Sequence, residues 1–169
     1  VKDGPGFYTT RILSALTHEA IQVLKQGASI EFVDSAMKDW GFPVGPLSLL
    51  DEVGIDVAAH IARGDLGEMF KDRGIEEDDT VEKLFAAKLF GRKSSKGFYK
   101  YPKKGRKTVN KDIYKYFGGE ERKELNKTKV QNQIGLSMVN EAMLCLQEGI
   151  ISSAADGDLA AILGLGFPP

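Results

Sequence analysis

Apolar residues recur at three-to-four spacing along most of this chain, and the pattern predicts helices almost throughout. Ile12, Leu13, Leu16, Ala20, Val23 and Leu24 form one stripe, Arg11, Glu19, Gln22 and Lys25 lie mostly off it, and Gly27 ends the helix. Ser29 is placed to cap a second helix with the stripe Phe32, Val33, Ala36, Met37 and Trp40, which stops at Gly41-Phe42-Pro43. Pro46 suits the first turn of a short helix through Leu47, Leu49, Leu50 and Val53, closed by Gly54. Asp56 reads as the cap of a helix running through Val57, Ala58, Ile61 and Ala62 toward Met69 and Phe70, weakened by Gly64 and Gly67. Across 71–79 the apolar content falls to Ile75 alone, which predicts a solvated connection. Thr80 then reads as the cap of a helix with Leu84, Phe85 and Leu89 inward, and only Phe98-Tyr99-Lys100-Tyr101 alternates like a strand.

Beyond this the chain repeats itself. Pro102-Lys103-Lys104-Gly105-Arg106-Lys107 combines Pro, Gly and like charge, the composition of a linker. A weak helix over 110–117 is broken by Gly118-Gly119, and a long helix starts near Arg122 with Val130, Ile134, Met138, Ala142 and Leu146 at i+4 steps. Glu141 and Gly149 follow Glu19 and Gly27 at one offset, 122 residues, and Gly166 follows Gly41 at 125. The expected fold is all-α: a helical unit over 1–101, a linker with a weak helix over 102–121, and a truncated second copy over 122–169. The stripe Ile134, Met138, Ala142 and Leu146 is expected to pack on Ile12, Leu16, Ala20 and Val23 about a pseudo-two-fold axis.

Composition narrows the function classes. The 169 residues are 42% apolar and 28% charged with a net charge of −1, enough for a core and without the field that recruits nucleic acid. No apolar run approaches the roughly 18 residues that span a bilayer. One Cys excludes an intramolecular disulfide and fits a reducing or non-secretory compartment; Cys145 sits among Met143, Leu144 and Leu146 and reads as a core residue. The chain opens on Val-Lys-Asp-Gly-Pro-Gly and stops on Phe167-Pro168-Pro169, where the first copy goes on into a helix, so a piece of a longer polypeptide is expected.

Candidate chemistry is sparse. There is no Gly-x-Gly-x-x-Gly, no P-loop and no Cys/His metal spacing, so no metal site is expected. His18 and Glu19 are adjacent on a helix and point about 100° apart, which argues against a dyad and for a rim position. His60 reads as a satisfied, partly buried side chain. Arg92-Lys93-Ser94-Ser95-Lys96, bounded by glycines, has the donors for a phosphate, carboxylate or cofactor edge, with a solvated loop as the alternative. The basic run 100–107 suits either solvent or peripheral contact with an anionic membrane.

Four ordered segments carry a resemblance: GPGFYTTR, the helix with HEAIQVLKQG, GFPVGPLSLLDEVGID, and FGRKSSKGFYKY. In this order they resemble the C-terminal helical domain of 3-hydroxyacyl-CoA dehydrogenases. VNEAMLCLQEGI and GLGFPP make the second copy similar to the multifunctional β-oxidation members, most closely the α-subunit type of the mitochondrial trifunctional enzyme. The resemblance implies an NAD-dependent dehydrogenase of L-3-hydroxyacyl-CoA with enoyl-CoA hydratase in the same polypeptide, a thiolase β subunit as partner, and a mitochondrial location. It further implies that NAD and the catalytic His with its Glu belong to a Rossmann domain absent from this chain, which alone would be inactive. The second copy would replace the dimer contact of monofunctional relatives. Thr10 falls where those relatives carry an active-site Asn, and offers one hydroxyl in place of an amide. Lys93 falls at the basic residue that touches the cofactor, and Phe42, Pro43 and Val44 at a wall of the acyl cleft; a turn inside the core is the alternative for Phe42. A non-catalytic helical interaction module is the alternative for the whole chain.

Overall fold

A computed structural model describes residues 1–75 and 78–168. Among the described residues eight helices run α1 (Thr9–Lys25), α2 (Ile30–Trp40), α3 (Pro46–Val53), α4 (Ile55–Arg63), α5 (Asp65–Asp72), α6 (Thr80–Ala86), α7 (Lys127–Gln147) and α8 (Ala154–Leu165). Two 3-10 turns, Arg92–Ser94 and Lys111–Phe117, and a ribbon of β1 (Tyr99–Lys100) against β2 (Thr108–Val109) complete it. The chain is mostly helical, as the periodicity predicts. Among the described residues no helix is long and apolar enough to cross a membrane.

The helix stops are alike in the two copies down to single hydrogen bonds. After α1, Gly27 takes a positive φ and Ala28 N–H donates to Val23 O. After α7, Gly149 does the same and Ile150 N–H donates to Cys145 O, the equivalent pair. Ser29 and Ser153 then cap α2 and α8 through the N–H groups of Phe32 and Asp156. Glycine suits the left-handed position, where a Cβ would be strained.

α1 and α7 pack antiparallel at the centre, related by a pseudo-two-fold axis. Ser137 Oγ donates to Ala15 O at 3.2 Å, and these two residues are each other's counterparts, so the axis passes between them. To one side Arg11 Nε bonds the Glu141 carboxylate; to the other Gln133 Nε2 donates to Glu19 at 2.9 Å, the same contact with the copies exchanged. Ile12, Leu16, Ala20, Ile134 and Met138 fill the core that this pair builds, at roughly 1.5–3 kcal/mol for each large side chain buried.

The structure corrects several local expectations. On α7 the inward face ends on Glu141 and Cys145, while Leu146 is exposed: steps of 4 residues drift off a 3.6-residue turn, so an i+4 row leaves the buried face. Arg11, read as off the stripe, is 1% exposed. Asp56 caps nothing; it lies inside the first turn of α4, whose N-cap is Gly54. Thr80 likewise lies inside α6, and its N–H is held by Asp78 Oδ1 at 2.9 Å. The expected helix from 56 to 70 is two, broken at Gly64 so that Gly67 can lie on the backbone of Ala62, where a Cβ would clash. His60 is exposed, since it falls on the solvent side of α4.

The run 102–107 is the tip of the β1–β2 ribbon, a pairing hidden because Thr108-Val109 is too short to alternate. Lys107 turns inward to donate to Ser48 Oγ at 2.6 Å over the ring of Tyr99. The 3-10 turn beyond it buries Ile113, Tyr114 and Phe117, and Tyr114 OH accepts the N–H of Ile30 at 3.0 Å.

Candidate functional site

Two adjoining cavities flank α1, and Leu13, Leu49 and Val53 line both. The larger, about 710 Å³, lies between α1 and the α4–α6 side. Its wall is mostly apolar, with Thr10, Ser14, Thr17 and His18 from successive turns of α1 supplying polar atoms. Thr10 reaches it because α1 starts abruptly: Gly6 and Phe7 both have positive φ, so the chain turns into the helix one residue before Thr10. Thr10 is half-buried, and its carbonyl accepts from Ser14 Oγ at 2.8 Å. His18 lies on the rim.

The smaller cavity, about 350 Å³, holds Phe42, Pro43 and Val44 together with Leu16, Met37 and Met138. Pro43 and Val44 are exposed, whereas Phe42 is buried against Trp40 and Phe167 and serves the core as well as the wall. The geometry therefore brings Thr10 and the Phe42–Val44 turn to neighbouring hollows and leaves Lys93 out of both.

Lys93 stands on the glycine-bounded loop, and the charges there are paired. Lys93 Nζ reaches both oxygens of Asp56, 2.6 and 2.8 Å away; Arg92 bonds Glu52, and Lys96 meets Asp112. The Lys93 bond lowers the Asp56 carboxyl below its ordinary value, and Lys100 and Lys96 lower Asp112. Lys93 also lies across Gly54, where a Cβ would meet its amine. Arg92 nevertheless keeps 66% of its side chain exposed and Lys93 47%. This donor set fits the anionic edge of a cofactor. The sheet is one antiparallel ribbon, so the described residues form no βαβ turn to cradle a pyrophosphate.

Beneath the loop lie buried carboxylates that the sequence did not disclose as functional. Asp51 accepts the N–H groups of Phe98 and Tyr99, each at 2.9 Å, and Tyr101 OH at 3.0 Å. Burial pushes its carboxyl up to about 6, against the pull of Tyr99, Phe98, Tyr101 and Lys107. Asp34 binds the N–H groups of Leu47 and Ser48 and Tyr99 OH, and so caps α3 from α2. Burial beside these carboxylates raises both tyrosine hydroxyls. The available signal was position: Asp51 lies one residue from Leu50 on the inward side of α3. Cys145 is buried, and burial pushes its thiol up to about 11, in keeping with a packing role. Among the described residues no cluster of His, Cys, Asp or Glu could hold a metal.

Comparison with known proteins shows what the chain is similar to. The family described as 3-hydroxyacyl-CoA dehydrogenase, C-terminal domain, matches residues 6–101. The fatty acid oxidation complex subunit alpha of Vibrio cholerae is 46% identical over 171 residues, and that of Shewanella halifaxensis 45% over 173. All of this chain is covered in each case, and it spans 24% of their length. The dehydrogenase part of multifunctional enzyme 1 from C. elegans superposes with a TM-score of 0.69 at 26% identity, over 90% of this chain and 35% of that one. The 3-hydroxybutyryl-CoA dehydrogenase of Escherichia coli shares the fold, with a TM-score of 0.72 at 18% identity over 96% and 51%. The mitochondrial location implied by the resemblance is overturned: these subunit alpha relatives are bacterial proteins. The resemblance to the trifunctional type narrows accordingly to the bacterial subunit alpha.

Proposed function

The chain belongs to the 3-hydroxyacyl-CoA dehydrogenase family as its C-terminal domain, and we propose that it forms the substrate-cleft side of an NAD-dependent L-3-hydroxyacyl-CoA dehydrogenase in a fatty acid oxidation α subunit. The observation that carries this reading is the pair of adjoining cavities on α1, mostly apolar in their walls, the larger with polar side chains that include Thr10 and His18. An acyl chain asks for the first property and a thioester carbonyl for the second. NAD, held mainly by a Rossmann domain outside this chain, would accept the hydride from C3. The Thr10 hydroxyl would donate to the substrate carbonyl or to a water bound to it, and the Phe42–Val44 turn would keep water from the acyl chain. Lys93 would exchange part of its contact with Asp56 for the cofactor's edge.

The second copy would take the place of a partner subunit's domain. Its support is the exchange of contacts about the Ala15–Ser137 axis, since joining two complementary units by a linker replaces a bimolecular cost with loop closure. Enoyl-CoA hydratase in the same polypeptide and a thiolase β subunit beside it complete the proposal, by analogy with the complex named for the relatives.

The test is the full-length protein assayed for NAD reduction with a 3-hydroxyacyl-CoA, alongside calorimetric titration of NAD into this chain alone. Turnover by the first and negligible binding by the second are expected. A full-length protein without turnover would support a helical interaction module instead, and micromolar NAD binding by this chain would overturn the division of labour.

A further inference from the structure

The 91–97 loop is closed on a single buried carboxylate. Gly91 N–H donates to Lys96 O and Lys96 N–H returns to Gly91 O, each at 3.0 Å, which makes the loop a tight ring with Ser95 in the left-handed region. Both ends of the ring rest on Asp51: a Cβ at Gly91 would strike the Asp51 backbone, and one at Gly97 its Oδ1. The next two N–H groups, Phe98 and Tyr99, point into the same carboxylate, and Phe98 is fully buried below. Glu52 and Asp56, both shortly after Asp51 in the chain, hold Arg92 and Lys93.

Packing does not call for an ionised group at that point. Asp51 is 1% exposed and makes no ion pair among the described residues; Lys107, the cation that influences it, gives its amine to Ser48. Its charge is compensated by the Phe98 and Tyr99 N–H groups and the Tyr101 hydroxyl, which follow the ring directly in the chain. At neutral pH, above the value of about 6 to which burial pushes it, the carboxyl is ionised. Opening the ring would strand that charge in the interior.

We propose that Asp51 is a positioning residue that fixes the base of the 91–97 loop and thereby sets Lys93 and Arg92 where the anionic edge of the cofactor meets this domain. The inference rests on the assignment of Lys93 made above, and it explains why a loop of three cations is anchored by a carboxylate that touches none of them. Asp51→Asn keeps the shape but turns one acceptor into an NH₂ donor facing N–H groups, so the ring loses its clamp.

The experiment uses the full-length protein and two readouts. Hydrogen exchange at the Phe98 and Tyr99 amides, measured without cofactor, reports the clamp; steady-state kinetics report KM for NAD, KM for the acyl-CoA and kcat. Asp51→Asn is expected to speed that exchange and to raise KM for NAD about ten-fold, as Lys93→Ala should, with the other two constants near wild type. The double variant should fall short of the product of the two single effects, because Asp51 acts in part through Lys93. Faster exchange with an unchanged KM for NAD, where Lys93→Ala does raise it, would overturn the positioning role. If Lys93→Ala leaves KM for NAD unchanged, the Lys93 assignment falls and this inference with it, whatever the exchange data show. Tyr101→Phe removes one of the three donors and gives the same test in milder form should Asp51→Asn not fold.

Discussion

Phe42 and Phe167 stand edge to face, ring centroids 5.7 Å apart and planes at 85°. They are counterparts in the two copies, 125 residues apart, so each repeat closes its Gly-Phe-Pro turn on the other's. The flanking contacts obey the same exchange: Gly41 lies under Pro168 and Gly166 under Pro43, each glycine with a positive φ and no room for a Cβ. Trp40 completes the cluster at 5.9 Å from both rings. The outer edge of its ring lies against Gly135 of α7, where a Cβ would collide.

This pairing predicts a measurable coupling. Phe42→Ala should lower stability by about 3–5 kcal/mol through the cavity it leaves, and a Phe42/Phe167 double-mutant cycle should show an interaction of about 0.5–1.5 kcal/mol. Urea unfolding of the four proteins checks it. Strict additivity would mean that the turns do not support each other.

The ionic contacts break the symmetry, and the break has an energetic signature. Arg11 is buried with Glu141 and also bonds the exposed Glu148, and Arg73 bonds both carboxylates. Burial acts to lower the Arg11 guanidinium, yet its bonds to Glu148 and Glu141 hold it above the ordinary value. On the other side Gln133 meets Glu19 in a half-exposed setting. Arg11→Met should therefore cost about 3–5 kcal/mol, because it leaves buried carboxylate behind, whereas Gln133→Met should cost about 1 kcal/mol. Equal losses in urea melts would show that the buried cluster carries no special weight.

Acid should weaken the protein through two carboxylates, Glu148 and Asp78. The Arg11 bond, with help from Arg73, holds Glu148 below its ordinary value; Asp78 is held low by Lys25 and Thr80 although burial works the other way. A folded-state pKa below the unfolded one means that the native protein binds fewer protons, so this stability is complete above about pH 5 and lost as pH falls through the folded values. Urea midpoints from pH 7 to pH 2.5 should drop on the acid side, and Glu148→Gln and Asp78→Asn should each flatten part of that drop. Parallel curves for wild type and both variants would assign the acid effect elsewhere.

Removing everything after Tyr101 should expose Ile12, Leu16 and Ala20 and also strip Ile113, Tyr114 and Phe117 from the core. Dimerisation or aggregation of the 1–101 piece is the expected outcome in light scattering. A monomer as resistant to urea as the whole chain would show that the first unit stands alone.

In the full-length protein, Thr10→Val should lower kcat by about ten-fold if its hydroxyl holds the reacting carbonyl. Lys93→Ala should instead raise KM for NAD, since a lost charge-assisted contact is worth about 1.5–3 kcal/mol. Unchanged constants in both variants would return Thr10 to the wall of a cavity and Lys93 to its bond with Asp56.

The hydrophobic period alone determined that this chain is helical, where most helices lie and that one plan occurs twice, because each of these is written in spacing within a single turn or in self-similarity at a fixed offset. Ser29, Gly27 and Pro46 could be read in the same way, since caps and stops act on their own neighbours. Contacts between distant residues could not. Nothing near Arg11 announces Glu141, and a charge one position from Ile12 reads as solvent-facing until α7 covers it. Asp56 had the local chemistry of a cap, yet Lys93, far along the chain, claimed its carboxylate. Thr108-Val109 became a strand only because Tyr99-Lys100 lay alongside to pair with it. The tertiary structure also decided that Thr10 and the Phe42 turn share neighbouring cavities while Lys93 does not, and that Asp51 underlies the basic loop. Burial and pairing across such distances depend on which faces meet, and that is settled by packing in three dimensions.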